Sequence, residues 1–247
     1  PALVSTLNQE KVSDDNKKLK ETQKVAIAIL CFLATIVLFS IIKYWRADTL
    51  YAKAKLLNAQ GNYPEATKAL TQAIKISSKE PLFYNELAES TLGIAMGMDL
   101  EKDKEKVQEI INLALTQSQT ATTLSSANVN LLRSRAGIFF KLATIEPNYL
   151  LFAGQTLEEA IKLAPTDAKL FYNLGLVYAR VAKEDQALST IQKTIELKPN
   201  YRDARLAYAL LLDSKGEKQE ARDQLNYILE NINPNDNLVK QQLEEIN

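Results

Sequence analysis

The sequence offers few residues that could carry covalent or metal chemistry. Its 247 residues contain no histidine and one cysteine, Cys31. An intrachain disulfide, a histidine-activated nucleophile and a His/Cys metal set are therefore excluded. Asp99, Glu101 and Asp103 alternate as calcium ligands can, but the ordered loop with a central glycine and a closing glutamate is missing, and the stretch reads as a solvated connector or helix end. The pairs Glu158-Glu159 and Glu244-Glu245 read as solubility charges on polar helix faces, and no glycine-rich phosphate loop occurs. Thirty basic residues balance thirty acidic ones, so no general affinity for nucleic acid is expected. The reading is a chain with no catalytic, cofactor-binding or metal-binding residues and no cofactor, which is not an enzyme as it stands.

Apolar surface, in two patterns, is what the sequence supplies instead. Val25 to Ile42, VAIAILCFLATIVLFSII, carries no charge, and at about 1.5 Å per residue it just spans a hydrocarbon core of about 30 Å. Lys24 precedes it, and Lys43, Tyr44, Trp45 and Arg46 follow, residue types that favour the headgroup layer. A secretory signal has a shorter apolar region and a small-residue cleavage site, which Trp45-Arg46 does not supply. A buried helix of a soluble fold is the other alternative. The expectation is a transmembrane helix with its interfacial flank over 25–46, in contact with the lipid bilayer through Val25 to Ile42 and preceded by a polar segment over 1–24. Lys11, Lys17, Lys18, Lys20 and Lys24 stand on one side against Lys43, Arg46, Lys53 and Lys55 on the other. The positive-inside bias then leans toward an extracytoplasmic location for everything after the span. The chain opens on proline rather than methionine, which reads as a processed or shortened start. Between Val25 and Gln60 there is no glycine or proline, so the spanning helix is expected to run on into the next element.

From Ala47 onward the apolar residues fall at helical spacing and recur every 34 positions. Gly175 corresponds to Ala209, Tyr178 to Leu212, Ala187 to Ala221 and Ile191 to Leu225, and Ala153 precedes Ala187 by the same interval. Each unit reads as a helical pair, with small residues where two helices meet closely and Pro199 closing a unit. Residues 47–77 supply Ala54 and Leu57, the turn Gly61-Asn62-Tyr63, then Ala66, Leu70 and Ala73. Residues 81–118 supply Leu87 and Ala88, then Val107, Ile111 and Ala114, and a Ser/Thr-rich stretch over 120–128 reads as a connector. Residues 128–167 supply Ala136, then Ala153, Leu157 and Ala160. One hairpin cannot bury its apolar face alone, so the units must stack. The expected fold is all-α: a transmembrane helix, then a repeat domain over 47–236 of about five hairpins in a solenoid, then an amphipathic capping helix over 237–247.

By these residues the region from Ala47 resembles the tetratricopeptide repeat (TPR) family. The resemblance implies a groove, lined by the first helix of each pair, that binds a peptide or helix of another protein. Groove positions then fall at Lys169, Tyr172, Asn173, Leu176 and Arg180 in one copy and at Asp203, Leu206, Leu210 and Asp213 in the next. The subclass that clamps a C-terminal carboxylate has lysine where Tyr172 stands and asparagine where Leu176 stands, so that clamp is not implied. Tyr172 and Leu176 are equally consistent with packing on a neighbouring helix. A narrower resemblance rests on RSRAGIFFKLATIEPNYL, LAPTDAKLFYNLGLVYAR and ELKPNYRDARLAYALLL behind a membrane span. These look like the C-terminal tail of bacterial O-antigen ligase-like polytopic proteins, which implies further transmembrane segments upstream and a part in cell-surface glycan assembly. No catalytic residue of that family falls in this chain. Two functions follow, a membrane-anchored scaffold for protein–protein interaction or the accessory tail of such a ligase or polymerase.

Overall fold

The computed structural model describes residues 21–246, so the polar segment expected over 1–24 lies almost wholly outside the described residues. All regular structure among these residues is helical: α1 (Glu21–Ala59), α2 (Tyr63–Ile76), α3 (Pro81–Met96), α4 (Lys104–Leu124), α5 (Val129–Leu142), α6 (Tyr149–Leu163), α7 (Ala168–Arg180), α8 (Glu184–Leu197), α9 (Arg202–Ser214), α10 (Lys218–Asn231) and α11 (Asn237–Glu245). The chain divides into two units between Trp45 and Arg46.

The first unit is the apolar part of α1. The helix is long and apolar enough to cross a membrane, and none of its apolar window is buried among the described residues. Phe32 and Phe39 are 67 % and 71 % exposed. The two hydroxyls in this stretch are satisfied within the helix, Thr35 Oγ1 donating to the Cys31 carbonyl at 2.7 Å and Ser40 Oγ to that of Ile36 at 2.9 Å.

The second unit stacks five helical hairpins, α1/α2 through α9/α10, with α11 on the end. Alanine marks the close contacts: Ala54, Ala66, Ala88, Ala114, Ala153, Ala187, Ala209 and Ala221 are fully buried. Gly175 belongs to the same set, since a Cβ there would lie inside van der Waals contact of Ile191. Larger side chains fill the spaces beside these contacts, as Leu132, Leu157, Leu170 and Val177 do where α5, α6 and α7 meet. Such mutual burial is the main favourable term available to a hairpin array. Val239 of α11 and Ile246 just after it close the far end against Ala221, Leu225 and Ile228, the place expected for a capping helix.

Three hairpin turns share one geometry. Gly61 and Gly216 adopt φ of 74° and 82°, and the next amide reaches back five residues, Asn62 N to Leu57 O and Glu217 N to Leu212 O, both at 2.9 Å. This is the left-handed helix ending that glycine favours. The α7/α8 turn makes the same bond, Lys183 N to Tyr178 O at 2.9 Å, but seats Ala182 at φ 57°, 34 residues before Gly216.

The connector expected over 120–128 is a correction. α4 runs on to Leu124, because Ser118, Ala121 and Thr122 are buried. Its hydroxyls also fold back onto the helix, Thr116 to the Asn112 carbonyl at 2.8 Å and Thr120 to that of Thr116 at 2.9 Å. Local hydroxyl bonding lowers helix preference in isolation; burial overrides it here.

Two substitutions test this packing. Ala187→Leu overpacks the α7/α8 contact and should cost about 1–3 kcal/mol, whereas Ala182→Gly relieves the left-handed strain. The strain is about 1–2 kcal/mol for a residue with a Cβ, and glycine's greater unfolded-state freedom takes back about 0.4–1. A rise of about 0.5–1 kcal/mol in unfolding free energy is expected for Ala182→Gly. Denaturant midpoints measured on both variants check the pair, and an unchanged midpoint for Ala187→Leu contradicts the assigned contact.

Candidate interaction surface

Stacking brings the first helices of the hairpins side by side, and the side chains on their shared face make a ladder of contacts. Between α1 and α3, Asn58 Nδ2 donates to Glu86 Oε1 at 2.6 Å, and Ser90 Oγ donates to Asn58 Oδ1 at 2.8 Å. Tyr51 lies on Phe83 with ring centroids 5.3 Å apart. Between α3 and α5, Lys141 Nζ donates to Glu89 Oε2 at 2.5 Å and Ser134 Oγ to Glu89 Oε1 at 3.3 Å. A cavity of about 580 Å³ opens here, lined by Asn58, Glu86, Glu89, Met96 and Lys141 among others.

The ladder continues with a repeated device. Arg133 of α5 donates to Asp167, whose other oxygen caps α7 by accepting from Lys169 N at 3.0 Å. Thirty-four residues separate that pair, and the same separation relates Arg202 of α9 to Asp236. There the guanidinium donates twice, Nε at 2.8 Å and Nη2 at 3.0 Å, while Asp236 caps α11 by accepting from Val239 N at 3.2 Å. The two donated bonds hold the Asp236 carboxyl below the usual range and raise the Arg202 guanidinium. At the intervening junction Tyr201 precedes α9 without a side-chain cap and lies against Tyr172 at 5.0 Å. Burial raises both phenols, with the Asp203 charge adding to it.

Of the residues singled out from sequence, Lys169 and Arg180 are exposed at the two ends of α7, and Asn173 and Leu176 are half-buried between them. The Arg180 guanidinium lies over Phe140 of α5 at 5.6 Å. On α9, Asp203 accepts from Arg202 at 2.9 Å. Leu206 packs beside the last hydrophobic cluster, Leu210 is 43 % exposed and Asp213 is half-buried. Tyr172 packs on Tyr201 in keeping with the packing alternative, while Leu176 keeps part of its surface open. From the sequence no groove position is expected on α1, α3 or α5. The small-residue register centred on Ala88 and Ala136 places Glu89, Arg133, Gly137 and Phe140 on this same face.

The Arg202–Asp236 contact generates a pH-dependent prediction. A carboxyl lowered on folding contributes stability above its ordinary value of about 3.9 and loses it as the pH falls through the folded value. Asp236→Ala, which removes a helix cap and strands the arginine, should cost about 1–2 kcal/mol at neutral pH. The gap between the two melting curves should close below about pH 4. A gap that persists in acid contradicts the assigned role.

Comparison with known proteins agrees with this geometry. Residues 172–236 and 47–80 each match the family described as tetratricopeptide repeat. The human PEX5-related protein is 36 % identical over 76 residues, which are 30 % of this chain and 12 % of that protein; the match thus spans about an eighth of the relative. Among solved structures, Pseudomonas aeruginosa PilF superposes with a TM-score of 0.62 at 22 % identity, covering 83 % of this chain and 85 % of that one. A thermophilic TPR protein of Thermus thermophilus gives 0.56 at 22 % identity over 81 % and 98 %. YrrB, described as a TPR protein with an unusual peptide-binding site, gives 0.55 at 18 % identity over 79 % and 90 %. With two repeat matches, helical hairpins throughout and these neighbours, the chain carries tetratricopeptide repeats and folds as a tetratricopeptide-type solenoid.

Proposed function

We propose that this chain is a membrane-anchored scaffold that binds a peptide or helix of another protein along the face lined by α1, α3, α5, α7 and α9. The observation that carries the reading is the continuous row of half-buried and exposed side chains on those helices, opening into the cavity beside Glu86, Glu89 and Lys141. Pockets with an apolar floor and a few convergent polar groups favour ligand binding over mere solvation. The peptide-binding site of YrrB, on the same fold, points the same way.

Anchoring rests on the uncovered apolar stretch of α1. In hydrocarbon every polar group needs an internal partner, and the Thr35 and Ser40 hydroxyls have theirs. The excess of lysines before the span favours an extracytoplasmic position for the repeats.

Alkaline carbonate extraction of cells expressing the full chain tests the anchor: the protein should stay in the membrane pellet, and recovery in the supernatant contradicts anchoring. A photo-crosslinking residue tests the binding face. Placed at Leu210 it should capture a partner, and placed at Leu113, which is 51 % exposed on a second helix, it should not. Capture at Leu113 alone overturns the assigned face.

A further inference from the structure

Glycine inside a helix is unfavourable relative to alanine, and most glycines in the helices of the repeat unit have a visible packing reason. A Cβ at Gly93 would meet the Tyr63 ring at 2.6 Å, one at Gly154 would meet Val177 Cγ1 at 3.4 Å, and one at Gly175 would collide with Ile191. Gly137 is different. It lies in the interior of α5, and a Cβ there would meet nothing within 4 Å. In the register set by Ala136 and Gly175 it stands on α5 where Leu176 stands on α7. The result is a notch in the groove floor one turn from Phe140.

Charge around the notch is one-sided. The α5 and α7 sequences, VNLLRSRAGIFFKL and AKLFYNLGLVYAR, contain no acid, whereas their basic residues are Arg133, Arg135, Lys141, Lys169 and Arg180. Arg133 is taken by Asp167 and Lys141 by Glu89, and Arg135 lies over Phe139. Lys169 and Arg180 have no carboxylate partner among the described residues. They sit at opposite ends of α7, about 16 Å apart along the helix at about 1.5 Å per residue, with the notch level between them. The acids on the flanking first helices, Glu86 and Glu89 on α3 and Asp203 and Asp213 on α9, bound the basic section on either side.

Resting on the groove reading above, we propose that the α5–α7 section takes a peptide segment that seats one large apolar side chain over Gly137 and places acidic residues on both sides of it, against Arg180 and Lys169. The glycine supplies the depth for an anchor, and Lys169 and Arg180, which no carboxylate among the described residues neutralises, select the flanking charge, the nearby Asp167 and Glu89 being taken by Arg133 and Lys141.

The test is selection of a random peptide library displayed on phage against the full chain in mild detergent. Peptides enriched on the wild type should carry an apolar residue between acids. Gly137→Leu should weaken them by about tenfold or more, as expected for blocking an anchor pocket. This variant should keep its fold, because the added side chain meets no neighbour at its Cβ and leucine favours helix; an unchanged or raised melting temperature verifies that. The Lys169→Glu/Arg180→Glu double variant should switch the selection to basic flanks. Enriched peptides without acidic bias, or undiminished binding to Gly137→Leu, overturn the proposal. Neutral or basic peptides that still lose affinity on Leu176→Glu overturn only this assignment of chemistry. Enrichment of nothing above the bait-free control removes the groove reading as well.

Discussion

Close approach of paired helices at small residues is the constraint on which the rest of the repeat unit depends. Where Gly175 meets Ile191 and Ala187 sits fully buried, two helix backbones come near enough for leucines and isoleucines on either side to interdigitate. A hairpin made this way still leaves an apolar flank open. It is covered only by the next hairpin, so each unit is stable because its neighbours are present. The C-terminal end needs special treatment, and α11 with the residue that follows it provides this, Val239 and Ile246 being buried in the last cluster.

The same packing decides what is left for binding. Second helices bury their alanine-centred faces against the first helices of their own and the next hairpin. The first helices keep one face outward, and on it the polar residues serve two purposes. Some join neighbours, as in the Arg133–Asp167 and Arg202–Asp236 pairs that tie one first helix to the cap of the next. Others, such as Lys169, are exposed, as is the apolar Leu210. A rigid lattice that presents unengaged side chains is what a recognition surface requires, since little ordering remains to oppose binding.

How much of this was legible follows from the kind of constraint involved. The hairpins were readable because close contact demands small residues, and Ala153, Ala187 and Ala221 carry that demand at a fixed interval. The last two turns of α4 were not, because Ser and Thr signal a connector by local preference and only burial of Ser118 and Thr122 reverses it. The strained Ala182 turn was hidden because its position holds glycine in two other hairpins and the backbone angle is set by the turn, not by the residue. On the candidate face, Tyr172 and Leu210 followed from the two regular copies. Glu89, Gly137 and Phe140 lie in copies whose connectors depart from the standard length, so their register emerges only once Ala88 and Ala136 are seen at the contacts. The Arg202–Asp236 pair was out of reach, because either charge has many possible partners until the capping helix is placed.

Hydroxyl-radical footprinting of the full chain, alone and saturated with a peptide selected for binding, tests the central claim that the first-helix face is the recognition surface. The account predicts protection of Phe140 and Tyr172, with Phe152 on α6 and Tyr227 on α10 unchanged. Protection of Phe152 and Tyr227 while Phe140 and Tyr172 stay reactive would contradict it.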